Sequence, residues 1–191
     1  MVQVVGKLQH ALKEWDIAID ALNQGKTIVL LRKGGIRERR FEIKHSPVWL
    51  YPTYEHQKPH LLKPEYASQV TPVESGWHPE TVTIKSCAEI TETIKIDRKS
   101  QIAALQPDLI WNEQMIDERL KWKPDTPLMV LLLRVYRLPT PKTIPYNNAY
   151  GGCKSWIDLI EPITYSNLIP VLSDAEYAEW INKIQASIAI V

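Results

Sequence analysis

A chain of 191 residues, 45% hydrophobic and 24% charged, is long enough to bury a substantial core, and residues 1–191 read as a single domain. A formal net charge of +1 excludes the general positive field of a non-specific DNA binder, yet Lys26–His45 holds seven basic residues against two acidic ones, +5 locally and −4 over the remainder. That unevenness predicts a local basic face suited to an anion or a nucleic-acid backbone.

MVQVVGKLQHALKEW turns amphipathic at once and lacks the apolar stretch of a signal peptide. The longest apolar run, Leu128 to Leu133, is far short of the ~20 residues a membrane span needs. A soluble, cytoplasmic protein without a membrane partner is expected. Leu8, Leu12, Trp15, Ile19 and Leu22 recur at three- and four-residue spacing, which predicts an amphipathic helix over 7–24, stopped by Gly25. TIVLLR (27–32), RRFEIK (39–44) and VWLYP (48–52) read as strands, the first two joined through Gly34-Gly35 as a hairpin. Five prolines between Pro52 and Pro79 predict a surface-wrapping loop over about 52–80. TVTIKS and AEITETIKI alternate apolar with polar residues, the pattern of a half-exposed antiparallel pair. Helices are predicted at 98–105 and 112–122, and PLMVLLLRVYRLP (127–139) is apolar on both faces at its start, hence central in the sheet. A strand at 153–160 follows Gly151-Gly152. SDAE (173–176) has the form of a capping box opening a C-terminal helix with the stripe Tyr177, Trp180, Ile181, Ile184 and Ile188. The order implies an α+β fold in one domain: a mostly antiparallel mixed sheet with N-terminal and C-terminal amphipathic helices.

The strings LLRKGGI (30–36), LYPTYEHQ (50–57), LLKPEY (61–66), RLKWKP (119–124), LLLRVYRLP (131–139) and YGGCKSWIDL (150–159) together resemble a bacterial domain-of-unknown-function family. The resemblance spans roughly residues 12 to 160 and implies a self-contained domain. The family has no established activity, so it implies no catalytic residues and no cofactor.

Two strings carry chemistry. In LLRKGGIRERR a strand delivers Arg32 and Lys33, and Gly34 and Gly35 let backbone amides approach a phosphate; the plainer reading is a hairpin turn kept in water by its charges. Neither nucleotide-binding glycine fingerprint is met. In PTYEHQ, Glu55 beside His56 offers an acid–base pair near neutrality and Gln57 could orient a water or a carbonyl, provided the chain bends between Glu55 and His56. The plainer reading is a structural polar loop.

Other signals are weaker. His56 and His60 have zinc-like spacing on a helix that Pro59 forbids, so no metal site is expected. Cys87 and Cys153 read as buried free thiols. Glu42-Ile43-Lys44 suggests a nuclease strand only if a second carboxylate such as Asp108 joins it. Trp15, Trp49, Trp156 and Trp180 fit core phases, whereas Trp77 and Trp122 are candidates for stacking a base. The reading that follows is a phosphate-recognising protein acting on or binding nucleic acid or a nucleotide, with Arg32, Lys33, Gly34 and Gly35 on the anion and His56 with Glu55 in proton transfer. The alternative is a non-catalytic protein- or RNA-interaction module using the basic hairpin and the 52–80 loop.

Overall fold

The computed structural model describes residues 6–33 and 41–189. In chain order the elements are β1 (Gly6–Trp15), α1 (Asp16–Asn23), β2 (Val29–Arg32), β3 (Val48–Thr53), α2 (Pro64–Ala67), β4 (Thr81–Ile96), α3 (Lys99–Ala104), α4 (Glu113–Lys121), β5 (Leu128–Pro145), β6 (Trp156–Tyr165), β7 (Ile169–Pro170) and α5 (Asp174–Ala189). Among the described residues they form one seven-stranded sheet in the order β2-β5-β4-β3-β1-β6, with β7 added beside β5. Every pairing is antiparallel except β1 with β3, so the α+β, mostly antiparallel mixed fold holds.

The N-terminal element differs from expectation. Residues 6–15 form a strand, and the helix is confined to the eight residues of α1. The cause is a bulge between Leu8 and His10 in the β1–β6 ladder. A bulge inserts a residue and shifts the side-chain phase. Leu8 and Ala11 therefore face one core cluster and Leu12 the other, imitating helical spacing with strand geometry. Because a core cluster covers each face of β1, both faces need apolar residues, which removes the simple alternation of a half-exposed strand.

The turn of the hairpin expected between 27–32 and 39–44, Gly34 and Gly35 included, and residues 39–40 of its second strand, lie outside the described residues. Residues 41–45 carry no regular structure, and β2 pairs with β5. TVTIKS and AEITETIKI are one continuous strand, β4, rather than a pair. Its partner is β5, whose first half, Leu128 to Val135, is buried but for Met129 and supplies the centre of the larger core. Thr81–Ile96 and Leu128–Pro145 bend at two bulges, between Ile84 and Ser86 and between Ile90 and Glu92.

That bending curls the sheet. Four interstrand steps separate β2 from β1, about 19 Å if flat at roughly 4.8 Å per step. Yet Arg32 Nη2 reaches the Lys13 carbonyl at 2.6 Å and the Glu14 carboxylate at 3.0 Å. Helices cover one side: α1, α3, α4 and α5 contribute to the same apolar cluster as β2 and β5. Past the end of β3 at Thr53, the 52–80 segment is irregular beyond a 3-10 turn at Pro59–Leu61 and the short α2, but it is anchored: Leu61, Leu62 and Tyr66 are buried, and Asn112 Nδ2 donates to the His60 and Leu62 carbonyls. The capping box forms, with Glu176 accepting from Ser173 N at 2.7 Å and Ser173 Oγ from Glu176 N at 3.3 Å. No helix among the described residues is long and apolar enough to cross a membrane.

Candidate functional site

The curl brings the C-terminal ends of β1, β2 and β3 around a cleft of about 550 Å³, completed by the end of α4, the segment 76–79 and the residues that lead into β6. Among the described residues its walls carry five cationic side chains, Lys13, Arg32, Lys33, Arg119 and Lys154, against two carboxylates, Glu14 and Glu55. Between them stand aromatic rings, including Trp15, Tyr51, Tyr54, Trp77, Trp122 and Tyr146.

At the floor, Arg32 is held by Glu14, which is 7% exposed and also accepts from Trp15 N at 2.7 Å. The pair occupies Arg32 Nη2 only. Arg32 Nε is buried without a hydrogen-bond partner, and the hydroxyl of Tyr51, a residue only 3% exposed, is in the same condition. Leaving a buried polar group without a partner forfeits about 1–3 kcal/mol of hydration, and a polar occupant of the cleft would supply partners to these two; Asn23, Ser86 and Trp111 hold buried polar atoms in the same condition away from it. Burial pushes the Tyr51 hydroxyl up, with Tyr146 and Tyr150 adding to the shift, so at neutral pH it is a hydrogen-bond donor. Arg119 lies near enough to Arg32 for burial, and then that neighbour's charge, to lower its pKa.

Lys33 lines the cleft but is buried, and its ammonium donates to the Arg119 and Leu120 carbonyls at 2.8 and 3.0 Å. It satisfies the open carbonyls at the end of α4 and so positions Arg119. Burial lowers its pKa, as does Arg119. Lys13 has a similar task across the cleft, donating to Tyr150 O at 2.6 Å and Gly152 O at 2.8 Å. Gly152 adopts φ +79, a left-handed conformation that favours glycine and aims its carbonyl at Lys13.

At the rim the chain does bend between Glu55 and His56. His56 takes φ +64, and its Nε2 lies 3.2 Å from Glu55 Oε1. The same carboxylate accepts from Gly76 N at 2.6 Å and Ser75 Oγ at 3.2 Å; the Gly76 bond, the His56 charge and the Ser75 bond together hold its pKa below the usual value despite burial. Glu55 thereby straps segment 75–79 to the cleft, where Trp77 stands edge-on to Tyr54 and His78 stacks on Tyr146 at 3.6 Å. Trp77 is 46% exposed.

Arg32, Lys33, Glu55 and His56 thus share one cleft, through the curl of the sheet. Gln57 does not join them: its side chain is buried elsewhere and accepts from Ile17 N at 3.1 Å, at the start of α1. Cys87 is buried, which pushes its thiol up to about 12, but Cys153 is exposed at the cleft, a correction to the expectation of two buried thiols. The E-x-K reading fails because residues 41–44 form no strand and Asp108 is buried against Lys183. Lys13, Glu14, Tyr51 and Arg119 were not singled out from the sequence. The first two fell inside a predicted helix, and nothing local marks the others.

A family model for a domain of unknown function, DUF1802, matches residues 11–183. The chain belongs to the DUF1802 family. No curated protein matches the sequence. Two crystal structures of point variants of ZmASCH from Zymomonas mobilis are similar to this DUF1802 chain at 12% identity, with TM-scores of 0.47 and 0.44, covering 91% of this chain and 96% and 94% of theirs.

Proposed function

We propose that the cleft binds a phosphate-bearing ligand, a nucleotide or a short stretch of single-stranded nucleic acid. Phosphate sits against the guanidiniums of Arg32 and Arg119 with Lys154 at the edge, and a base stacks on Trp77 or Trp122. The observation that carries the reading is the conjunction of a paired guanidinium with a free buried Nε, an unpartnered Tyr51 hydroxyl and a net positive, aromatic-lined wall. Aromatic platforms interleaved with cations suit single strands, since every base has a stacking face and every linkage a charge. Lys13, Lys33 and Lys154 each donate to a main-chain carbonyl, Lys154 to Ala149 O at 3.2 Å, and Arg32 Nη2 serves the Lys13 carbonyl, so the anion-facing donors are Arg119 and the free Nε of Arg32, with Lys154 adding charge at the edge.

A second reading adds turnover. His56, oriented by an anionic Glu55 at 3.2 Å, would be the proton-transfer group, with Glu55 fixed as its partner and not itself the base.

Titration of fluorescent mononucleotides and short single-stranded oligonucleotides, at two salt concentrations, tests both. Binding should weaken with salt, Arg119→Gln should lower affinity about tenfold and flatten the salt dependence, and Trp77→Ala should lower it about tenfold with the salt dependence kept. His56→Ala should leave affinity within about twofold and remove any turnover. Absence of binding at low salt, or binding indifferent to Arg119 and Trp77, would overturn the reading.

A further inference from the structure

His10, His45 and Asp158 converge at the β1–β6 pair, and none of the three lines the cleft. His10 and Asp158 are direct partners in the β1–β6 register, placed opposite each other by the same bulge that disguised β1 as a helix. His10 Nδ1 and Asp158 Oδ1 are 2.6 Å apart. The ring of His45 lies parallel to that of His10, with centroids 3.5 Å apart and planes 6° from coincidence. One ligand atom from each of the three residues falls within 4.8 Å of the other two.

We infer that His10, His45 and Asp158 form a binding site for a divalent transition-metal ion of the zinc type, which clips the segment 41–47 to the β1–β6 face. Two imidazole nitrogens and one carboxylate oxygen are the donor set that first-row ions such as zinc, cobalt and nickel favour, and three protein ligands leave a further position open.

The geometry states what binding must change. Ligand atoms about 2.1 Å from a tetrahedral ion lie about 3.4 Å apart. The His10–Asp158 contact must therefore open by several tenths of an ångström, and His45 must turn out of the stack to aim its lone pair at the ion. His45 is half-buried on an irregular segment, its ring also edge-on to Trp156 at 6.1 Å, and that segment is already held near the site. Phe41 packs on Trp156 at 5.6 Å, Trp156 Nε1 donates to the Glu42 carbonyl at 3.1 Å, and Ile90 N donates to Ser46 Oγ at 2.9 Å. An ion would add a strong bond to a segment already tied by these contacts, and an ion that binds only the folded chain stabilises it.

The test uses the full chain, purified with chelator. Isothermal titration with zinc should give one ion per chain, cobalt should give the visible bands of a low-symmetry site, and zinc should raise the melting temperature. His10→Ala and His45→Ala should each weaken zinc binding at least tenfold, and Asp158→Asn should weaken it by a smaller factor. Because the exposed Cys153 could attract zinc by itself, Cys153→Ser is run beside them and should keep full binding. His45→Gln, which retains much of the packing, guards against misfolding; its ion-free melting temperature should match the parent while the zinc response is lost. Absence of stoichiometric binding, or binding that survives the double change of His10 and His45, or binding that disappears with Cys153→Ser, would overturn the inference.

Discussion

Gln57 shows how one side chain decides between a binding role and a folding role. Its Oε1 takes the Ile17 N–H, one of the amides at the start of α1 that no turn of helix can satisfy, and α1 has no side-chain cap from its own N-cap residue, Trp15. Gln57→Ala should therefore destabilise the fold by about 1 kcal/mol while leaving nucleotide affinity unchanged. Chemical denaturation and the fluorescence titration read the two effects separately. A loss of affinity without a loss of stability would return Gln57 to the binding set. Lys33 makes the same point with a charge: a residue picked for its ammonium proves to spend that ammonium on the carbonyls of α4. Residue type indicates what a group can do, and the partner within reach decides which of those things it does.

Among the elements, the segment 75–79 is a strap fastened by Glu55. The carboxylate's folded pKa lies below its ordinary value of 4.5, chiefly through the Gly76 amide, so the fastening contributes stability above that value and loses it as pH falls through the folded pKa. Hydrogen exchange at Gly76 and Trp77 should be independent of pH, after correction for intrinsic rates, near neutrality, and should accelerate only below pH 4.5. In Glu55→Gln the segment should exchange faster at neutral pH and lose that acid step. Acid opening that persists in the variant would place the latch elsewhere. This strap could not be read from sequence, because Glu55 and Gly76 are joined by a contact across an irregular loop. Elements governed by local rules were readable: β5 through its apolar run, α4 through its one-sided pattern, α5 through Ser173 and Glu176. The strand character of β1 is hidden by a bulge that moves Leu8 out of phase, and the pairing of β2 with β5 is a long-range choice that leaves little local trace.

For the whole molecule, the decisive contact is the one that closes the curl. Glu14 and Arg32 come from strands four steps apart, and they join them at the floor of the cleft, so folding and binding rest on the same ion pair. Removing one partner of a buried pair strands the other, at about 3–5 kcal/mol, whereas replacing both with apolar groups of similar size is often near neutral. Glu14→Ala should consequently cost a large part of the roughly 5–15 kcal/mol that holds a domain together, and Glu14→Leu with Arg32→Met should recover most of it. Urea denaturation checks both. Anion binding separates the pair's two roles. In Glu14→Ala the guanidiniums of Arg32 and Arg119 face each other without their carboxylate, so added phosphate should raise its melting temperature by more than it raises that of the parent chain. The double variant, refolded but without Arg32, should show the weakest phosphate response of the three. If phosphate stabilises all three alike, the anion binds away from the cleft floor, and Glu14 and Arg32 serve closure alone.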